Sequence, residues 1–449
     1  MEAKQSKRKS IRGNSIAGRP DAIVMYVDMN SYFASCEQQR HPELRHKPLG
    51  VLTYDSPNAS VIAASIEAKR MGVKTGMRLQ ECLQLCPQML TVTTHPAWYR
   101  QIHVEIMKIL RAYCDDVIAK SIDEALMNFT SYRLVYHDFR EIARKIKADI
   151  SQRYDYLTCS IGIAPNAFLA KLATELQKPD GLIEITPDNI DGYLAQLNLT
   201  DLPGIASNNE RRLQMIGIKT PLQMRHSSEA LLRKAFGGIV GNYWYKRLNF
   251  MEVDVYSNPF RTMSATRTLG KQIRESRQAM DSMVIALCMR LEQRMVKNEV
   301  FCKEVHFYIR YFDGYTWDTK IKLSDPEQDG MRIRRYILQK VSECEQSRGI
   351  SLFTEKVRNL GVTVMDFTEQ RFIQYGLFDN QMRQDTLRKV VYAMKDKYDK
   401  KNIIRIGSEL LYKNVLKDAV GFGSVRDLLG NDGEVVNKHM LEEDEDFDL

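Results

Sequence analysis

A chain of 449 residues at 44% hydrophobic is long enough for several domains with ample core. Lys and Arg outnumber Asp and Glu by 65 to 57, a net charge of +8, and six acids crowd into Glu442–Leu449, so the remainder is more basic still and suits a polyanionic partner. No apolar stretch approaches membrane-spanning length and the basic N-terminus leads into no apolar run, so neither a transmembrane helix nor a secretory signal is expected.

Met1–Pro20 carries Lys4, Lys7, Arg8, Lys9, Arg12 and Arg19 with almost nothing apolar, and reads as a solvated arm or one that brushes a polyanion. From Ala22 the patterning predicts a strand (Ala22–Asp28), a mixed insertion to Thr94, a helix (Ala97–Cys114), strands Val117–Ile122 and Ala125–Phe129, a helix (Phe139–Arg153) and a strand (Thr158–Ala164). Within the insertion Cys82 and Cys86 stand one helical turn apart, a spacing of neither a zinc knuckle nor a redox motif, and the eight cysteines read as reduced core thiols. The order β-α-β-β-α-β describes a split βαβ sheet with helices on one face. In it Asp28, at the end of the first strand, lies beside the turn carrying Asp123-Glu124, where Val117–Ile122 ends. An Asp-Glu pair in a turn is ordinarily solvated charge. Three converging carboxylates, however, suit two magnesium ions, which take few carboxylates plus water and phosphate and clamp both oxygens of an in-line phosphoryl transfer.

Asp188–Phe250 lacks strand alternation. It contains Leu202-Pro203-Gly204-Ile205-Ala206-Ser207 ahead of an amphipathic segment ending at Met215-Ile216-Gly217-Ile218. This reads as a helix-hairpin-helix, whose backbone N–H groups and helix N-terminus face a phosphate without reading bases. Ala206 stands where a second hairpin glycine is expected, so a distorted turn follows; an ordinary Pro-Gly turn between packed helices is the alternative. After a linker at Glu252–Pro259 a second β-α-β-β-α-β series is predicted: Arg261–Leu269, Arg274–Lys297, Phe301–Phe312, Tyr315–Leu323, Gly330–Cys344 and Val357–Phe367. Val305, Phe307, Ile309 and Tyr311 alternate with Glu304, His306, Tyr308 and Arg310, so one face is buried. The other, with Arg261, Arg267, Lys271, Lys303, Arg310 and Lys320 nearby, reads either as a surface for a DNA backbone or as the charged outer face any such sheet presents.

Five motifs occur in an order that resembles the Y-family translesion DNA polymerases: Asp28-Met29-Asn30-Ser31-Tyr32-Phe33-Ala34-Ser35-Cys36-Glu37, Ser65–Gly76, Ser121-Ile122-Asp123-Glu124-Ala125, Ser160-Ile161-Gly162-Ile163-Ala164 and Lys178-Pro179-Asp180-Gly181. The resemblance spans Ala22 to Asp379, and Ala34-Ser35-Cys36-Glu37 with Val61-Ile62-Ala63-Ala64 looks most like the UmuC side of the UmuC/DinB-like bacterial branch.

It implies an α+β, multi-domain right-hand polymerase: a ferredoxin-like palm (21–31 and 97–187), small fingers (32–96), a helical thumb with the helix-hairpin-helix (188–251), a linker (252–260), a β-α-β-β-α-β little finger (261–370), and a clamp peptide, helical segment and acidic tail (371–449). Asp28, Asp123 and Glu124 would be the catalytic metal carboxylates for two Mg2+ ions, with the Met29 carbonyl as a further ligand. Tyr32, Phe33, Lys69 and Lys178 would meet the deoxynucleoside triphosphate. Lys178 would act as a point charge on the phosphates, and Phe33 as the aromatic that excludes a 2′-hydroxyl, core packing being its other natural role. Gly204, Ala206 and Arg267 would contact DNA.

Ala63, Ile66 and Lys69 depart from the Thr, Tyr and Arg common in the family, so the triphosphate grip is expected to be looser or differently built. Gln374-Tyr375-Gly376-Leu377-Phe378-Asp379 resembles the short clamp-binding peptide of bacterial polymerases, Gln374, Leu377 and Phe378 being the anchors; alternatively Leu377-Phe378 caps the last domain. The resemblance thus implies a template-directed DNA polymerase without proofreading, located in the cytoplasm at the nucleoid. Its partners would be primer-template DNA, a sliding clamp and damage-response proteins such as RecA or a UmuD-like subunit. A catalytically idle DNA-bound scaffold of the same family is the alternative.

Overall fold

The structure is a computed structural model that describes residues 22–57, 59–254, 261–375 and 380–398; the basic arm, part of the linker, Leu377, Phe378 and the acidic tail lie outside them. The chain divides into two compact units, the break falling between Tyr256 and Ser257.

The first unit is built on a five-stranded sheet in the order Val117–Ala119, Glu124–Asn128, Val24–Met29, Cys159–Ala164 and Leu182–Glu184. Val24–Met29 is the central strand, antiparallel to both neighbours and buried along its whole length, which is why it reads as a nearly continuous apolar run. Met25, Val27, Met127, Ile161 and Ile163 pack against the helices Pro96–Tyr113 and Phe139–Arg153. Val24, Tyr26 and Leu126 pack the opposite face against the helix Ala167–Leu176. The expectation of helices on one face is therefore corrected: the sheet is covered on both. Two elements went unread in the sequence, this third helix and the edge strand Leu182–Glu184, which runs parallel to Cys159–Ala164. Gly162 permits the helix to lie so close, since a β-carbon there would stand 2.0 Å from the Ala170 carbonyl oxygen.

Helix Tyr32–Arg40 contributes Phe33, Ala34 and Cys36 to the core of the five-stranded sheet. Beyond it a small sheet sets Leu49–Leu52 between antiparallel Val61–Ala64 and parallel Leu90–Thr93. Its own core includes Val61, Ala68, Cys82, Cys86 and Met89, and both cysteines are buried thiols.

Residues 188–251 are helical as expected: Ile190–Leu194, Ser207–Met215, Pro221–Arg225, Glu229–Phe236 and Ile239–Leu248. They share one apolar core with the Ala167–Leu176 helix, through Leu213, Leu232 and Trp244.

The second unit is a four-stranded antiparallel sheet in the order Thr316–Glu327, Val300–Tyr311, Val357–Glu369, Thr262–Thr268, with helices Arg277–Lys297 and Gly330–Arg348 against one face. The alternation along Val305–Tyr311 is realised: Val305, Phe307 and Ile309 are fully buried, whereas Arg310 is exposed. A further helix, Gln381–Tyr398, docks here. Its Arg388 reaches Asp329 at 2.6 Å, and Tyr392 donates to the buried Glu292 at 3.0 Å.

Candidate active site

In the antiparallel pairing of Val24–Met29 with Glu124–Asn128, Asp28 stands directly opposite Glu124. Asp28 follows Val24 and Tyr26 at period two, and Glu124 precedes Leu126, so both carboxylates emerge on the face covered by helix Ala167–Leu176. From that helix Lys171 reaches in, touching Asp28 Oδ2, Glu124 Oε1 at 2.7 Å and Glu175 Oε1 at 2.9 Å. Lys178 adds a second ammonium, 3.0 Å from Asp28 Oδ2 and 2.8 Å from Glu175 Oε1. The Tyr26 hydroxyl donates to Glu124 Oε2 at 2.9 Å. Burial works against the Lys171 charge, but Asp28, Glu124 and Glu175 outweigh it and hold the pKa well above the ordinary lysine range.

Asp123 stands in the turn the sequence led one to expect, whereas Glu124 already belongs to the following strand. The strand Val117–Ala119 stops four residues before it, and the next strand starts at Glu124, so Asp123 belongs to the connecting loop. Its carboxylate accepts from the Ser121 hydroxyl, and its carbonyl accepts from Met29 N–H at 2.9 Å. Burial, opposed by the Ser121 hydrogen bond and reinforced by the charges of Glu124 and Asp28, raises its pKa to about 6. The loop is pinned from the helix Pro96–Tyr113 by His103, whose Nδ1 donates to the Ile122 carbonyl at 2.8 Å. Burial pushes this imidazole down to about 4, so it stays neutral and keeps its hydrogen-bonding role near neutral pH.

The three acids are therefore electrostatic neighbours. Among the described residues, however, no three His, Cys, Asp or Glu side chains are gathered closely enough to hold a metal ion as they stand. Asp28 and Glu124 share a lysine, while Asp123 lies outside the strand pairing. The donor chemistry fits a hard cation: carboxylate oxygens are the ligands magnesium takes, and the carboxyl of Asp123, raised in pKa, is the least compensated of the three.

The residues expected around a nucleotide fall in two settings. Lys178 stands at the acids, and Lys69, on helix Ile66–Arg70, is close enough that burial and then the Lys178 charge lower its pKa. Tyr32 and Phe33 are buried instead. The Tyr32 hydroxyl donates to the Tyr99 carbonyl at 2.7 Å, and the Phe33 ring stacks on Tyr99 at a centroid distance of 4.8 Å. Tyr99 is in turn held by the fully buried Glu37, which accepts its hydroxyl at 2.5 Å and faces His95 Nδ1 at 2.9 Å.

Gly204 has φ of +95°, the left-handed turn the hairpin needs. Ala206 is extended, with φ of −109°, so the expected distortion is absent: this position needs no glycine, and helix Ser207–Met215 begins directly after it. Arg267 departs from the expected open face. It shares the parity of the buried Met263 and Ala265, pairs across the sheet with buried Leu360, and lies toward Arg290 of the covering helix, whose charge follows burial in lowering its pKa. Gln374 is exposed and Tyr375 half-buried; residues 376–379, with the anchors Leu377 and Phe378, lie outside the described residues.

Sequence reasoning missed Lys171 and Tyr26. The signal for the first was present: Asn166 as a cap, apolar Phe168, Leu169, Leu172 and Leu176, and Lys171-Glu175 at i,i+4 mark an amphipathic helix.

This arrangement sits on a fold whose solved relatives are polymerases of one class. The structure matches a Y-family DNA polymerase chimera of Dbh and Dpo4 with a TM-score of 0.62 at 24% identity, covering 77% of this chain and 99% of the other. A ternary insertion complex of Dbh DNA polymerase matches at 0.52, again at 24% identity and with the same coverage. The fold is thus that of the Y-family DNA polymerases.

In sequence, residues 27–175 match the model of the impB/mucB/samB family and residues 261–377 that of its C-terminal domain. DNA polymerase IV of Streptococcus pneumoniae is 29% identical over 77% of this chain and 96% of its own length. DNA polymerase IV of Bacteroides fragilis is 35% identical over 48% of this chain and 59% of its own. The chain belongs to the impB/mucB/samB family of Y-family polymerases, as the five motifs led one to expect; these likenesses do not separate its UmuC from its DinB branch.

Proposed function

We propose that this protein is a template-directed DNA polymerase that carries synthesis past damaged template without proofreading. The observation that carries this reading is the register pairing of Asp28 with Glu124 beside Asp123, with the Lys178 ammonium at the same point. Asp28, Asp123, Glu124 and the Met29 carbonyl would hold the two magnesium ions. Bound there, the ions supply charge neutralisation and alignment for attack of a primer 3′-hydroxyl on an α-phosphate. Lys178 and Lys69 meet the triphosphate as positive charges, and the Gly204–Ala206 hairpin turns backbone N–H groups to the DNA backbone. Gln374, Leu377 and Phe378 recruit a sliding clamp, and the site of action is the cytoplasm; among the described residues no helix is long and apolar enough to cross a membrane. Primer extension by the purified chain with Mg2+ and all four deoxynucleotides tests the reading. Incorporation directed by the template is expected; DNA binding without incorporation would leave the scaffold in its place.

Phe33 supplies a sharper test, because its ring has two candidate roles. Phe33→Leu keeps most of the buried volume against Tyr99 while shortening what lies beneath a bound sugar. The ratio of kcat/KM for deoxyribonucleotide over ribonucleotide is expected to fall by about tenfold or more, with the melting temperature nearly retained. An unchanged ratio would make Phe33 a core residue alone.

A further inference from the structure

Asn30 is the third residue of Asp28-Met29-Asn30, 5% exposed, and has no part in the chemistry above. Both of its side-chain polar atoms are committed to neighbouring segments. Oδ1 accepts from Asp180 N–H at 2.8 Å and from the Thr158 hydroxyl at 3.0 Å, while Nδ2 donates to Ser160 Oγ at 3.1 Å. Ser160 is fully buried; its oxygen also accepts from Gly181 N–H at 3.2 Å and donates to the Gln177 carbonyl at 3.3 Å. Asn30 is itself anchored, its N–H donating to the Thr158 carbonyl at 2.9 Å and its carbonyl accepting from the Ser35 hydroxyl at 2.8 Å.

The partners Gln177, Asp180 and Gly181 bracket Lys178. That turn is tight: a β-carbon on Gly181 would stand 1.9 Å from the Gln177 carbonyl oxygen, and Asp180 adopts a left-handed φ of 59°. A short turn in such a conformation holds its shape only where its surroundings fix it, and here the hydrogen bonds of the buried Asn30 and Ser160 do so from the sheet side. The same turn carries the ammonium that reaches Asp28 Oδ2 at 3.0 Å. We propose that Asn30 and Ser160 are positioning residues that lock the Gln177–Gly181 turn, and thereby set where Lys178 meets the phosphates of the incoming nucleotide. This rests on the triphosphate role given to Lys178 above.

A double-mutant cycle tests it, with KM for deoxynucleotide and kcat measured at saturating primer-template. Lys178→Met is expected to raise KM by about tenfold or more, the loss of one charge-assisted contact. Ser160→Ala is expected to raise KM about threefold to tenfold with kcat little changed, and to have almost no further effect when Lys178 is already Met. Thr158→Val, which removes a single donor to Asn30 without changing shape, is expected to act in the same direction more weakly, and serves if Ser160→Ala does not fold. Unchanged KM in Ser160→Ala or Thr158→Val, or an equal factor with and without Lys178, overturns the inference while leaving Lys178 its role. A wild-type KM in Lys178→Met overturns both.

Discussion

Replacing Asp123 or Glu124 by Ala is expected to lower single-turnover primer extension by about a hundredfold to a thousandfold, with primer-template affinity nearly retained. The two residues reach this outcome by different routes. Glu124 is half of the strand-register pair with Asp28 and the acceptor for both Tyr26 and Lys171. Its removal takes away a carboxylate and leaves the Lys171 ammonium on Asp28 and Glu175. Among the described residues no lysine pairs with Asp123, and its carboxyl is pushed up in pKa by burial and by its acidic neighbours. A cation placed beside this carboxylate would offset first the burial and then the charges of Glu124 and Asp28. The isosteres Asp123→Asn and Glu124→Gln keep the volume, although Gln can accept at only one of the two atoms that meet Tyr26 and Lys171, so a matching loss in Asp123→Asn separates charge from packing most cleanly. Extension near wild-type in both alanine variants would remove the acids from the chemistry.

Gly162→Ala is expected to destabilise the first unit by about 3 kcal/mol or more and to abolish extension with it. A β-carbon at this position would lie 2.0 Å from the Ala170 carbonyl oxygen, 2.7 Å from the Ala173 β-carbon and 2.9 Å from the Thr174 nitrogen. Two of these three atoms belong to the backbone of a helix, which cannot swing aside as a side chain can. The helix must lift off the sheet, and Lys171 leaves Asp28 and Glu124 as it does so. Thermal unfolding beside extension checks this: a wild-type melting temperature with wild-type synthesis would mean that the helix does not depend on contact at Gly162.

The elements that local pattern specifies were legible in the chain. Ile142, Ile146 and Ile150 at every fourth position, after Asp138 as a cap, place the helix Phe139–Arg153 to the residue. All six elements of the second unit's β-α-β-β-α-β series follow from alternation or helical period in the same way. Five motifs in order carried the resemblance to the family, and they hold acids and a lysine at strand ends and turns together with the close-packing Gly162.

Pattern does not say which side of a strand will be covered, or by what. Val24–Met29 is apolar on both faces, and only the packing of Ala167–Leu176 across the second shows that Lys171 lies over Asp28 and Glu124. Arg267 and Arg310 look alike along the chain, yet parity sends the first toward the helices and the second outward. Along the chain Phe33 reads equally as a gate or a core residue, and only the fold brings Tyr99, 66 positions later, to stack on it. Asp123 and Glu124 are adjacent in sequence but differ in setting, because the strand begins between them. Short-range periodicity and turn chemistry act within about a dozen residues, so they are written locally. The meeting of Asp28, Glu124, Lys171 and Lys178 depends on contacts 47 to 150 residues apart, which exist only once strand register and helix packing are set together.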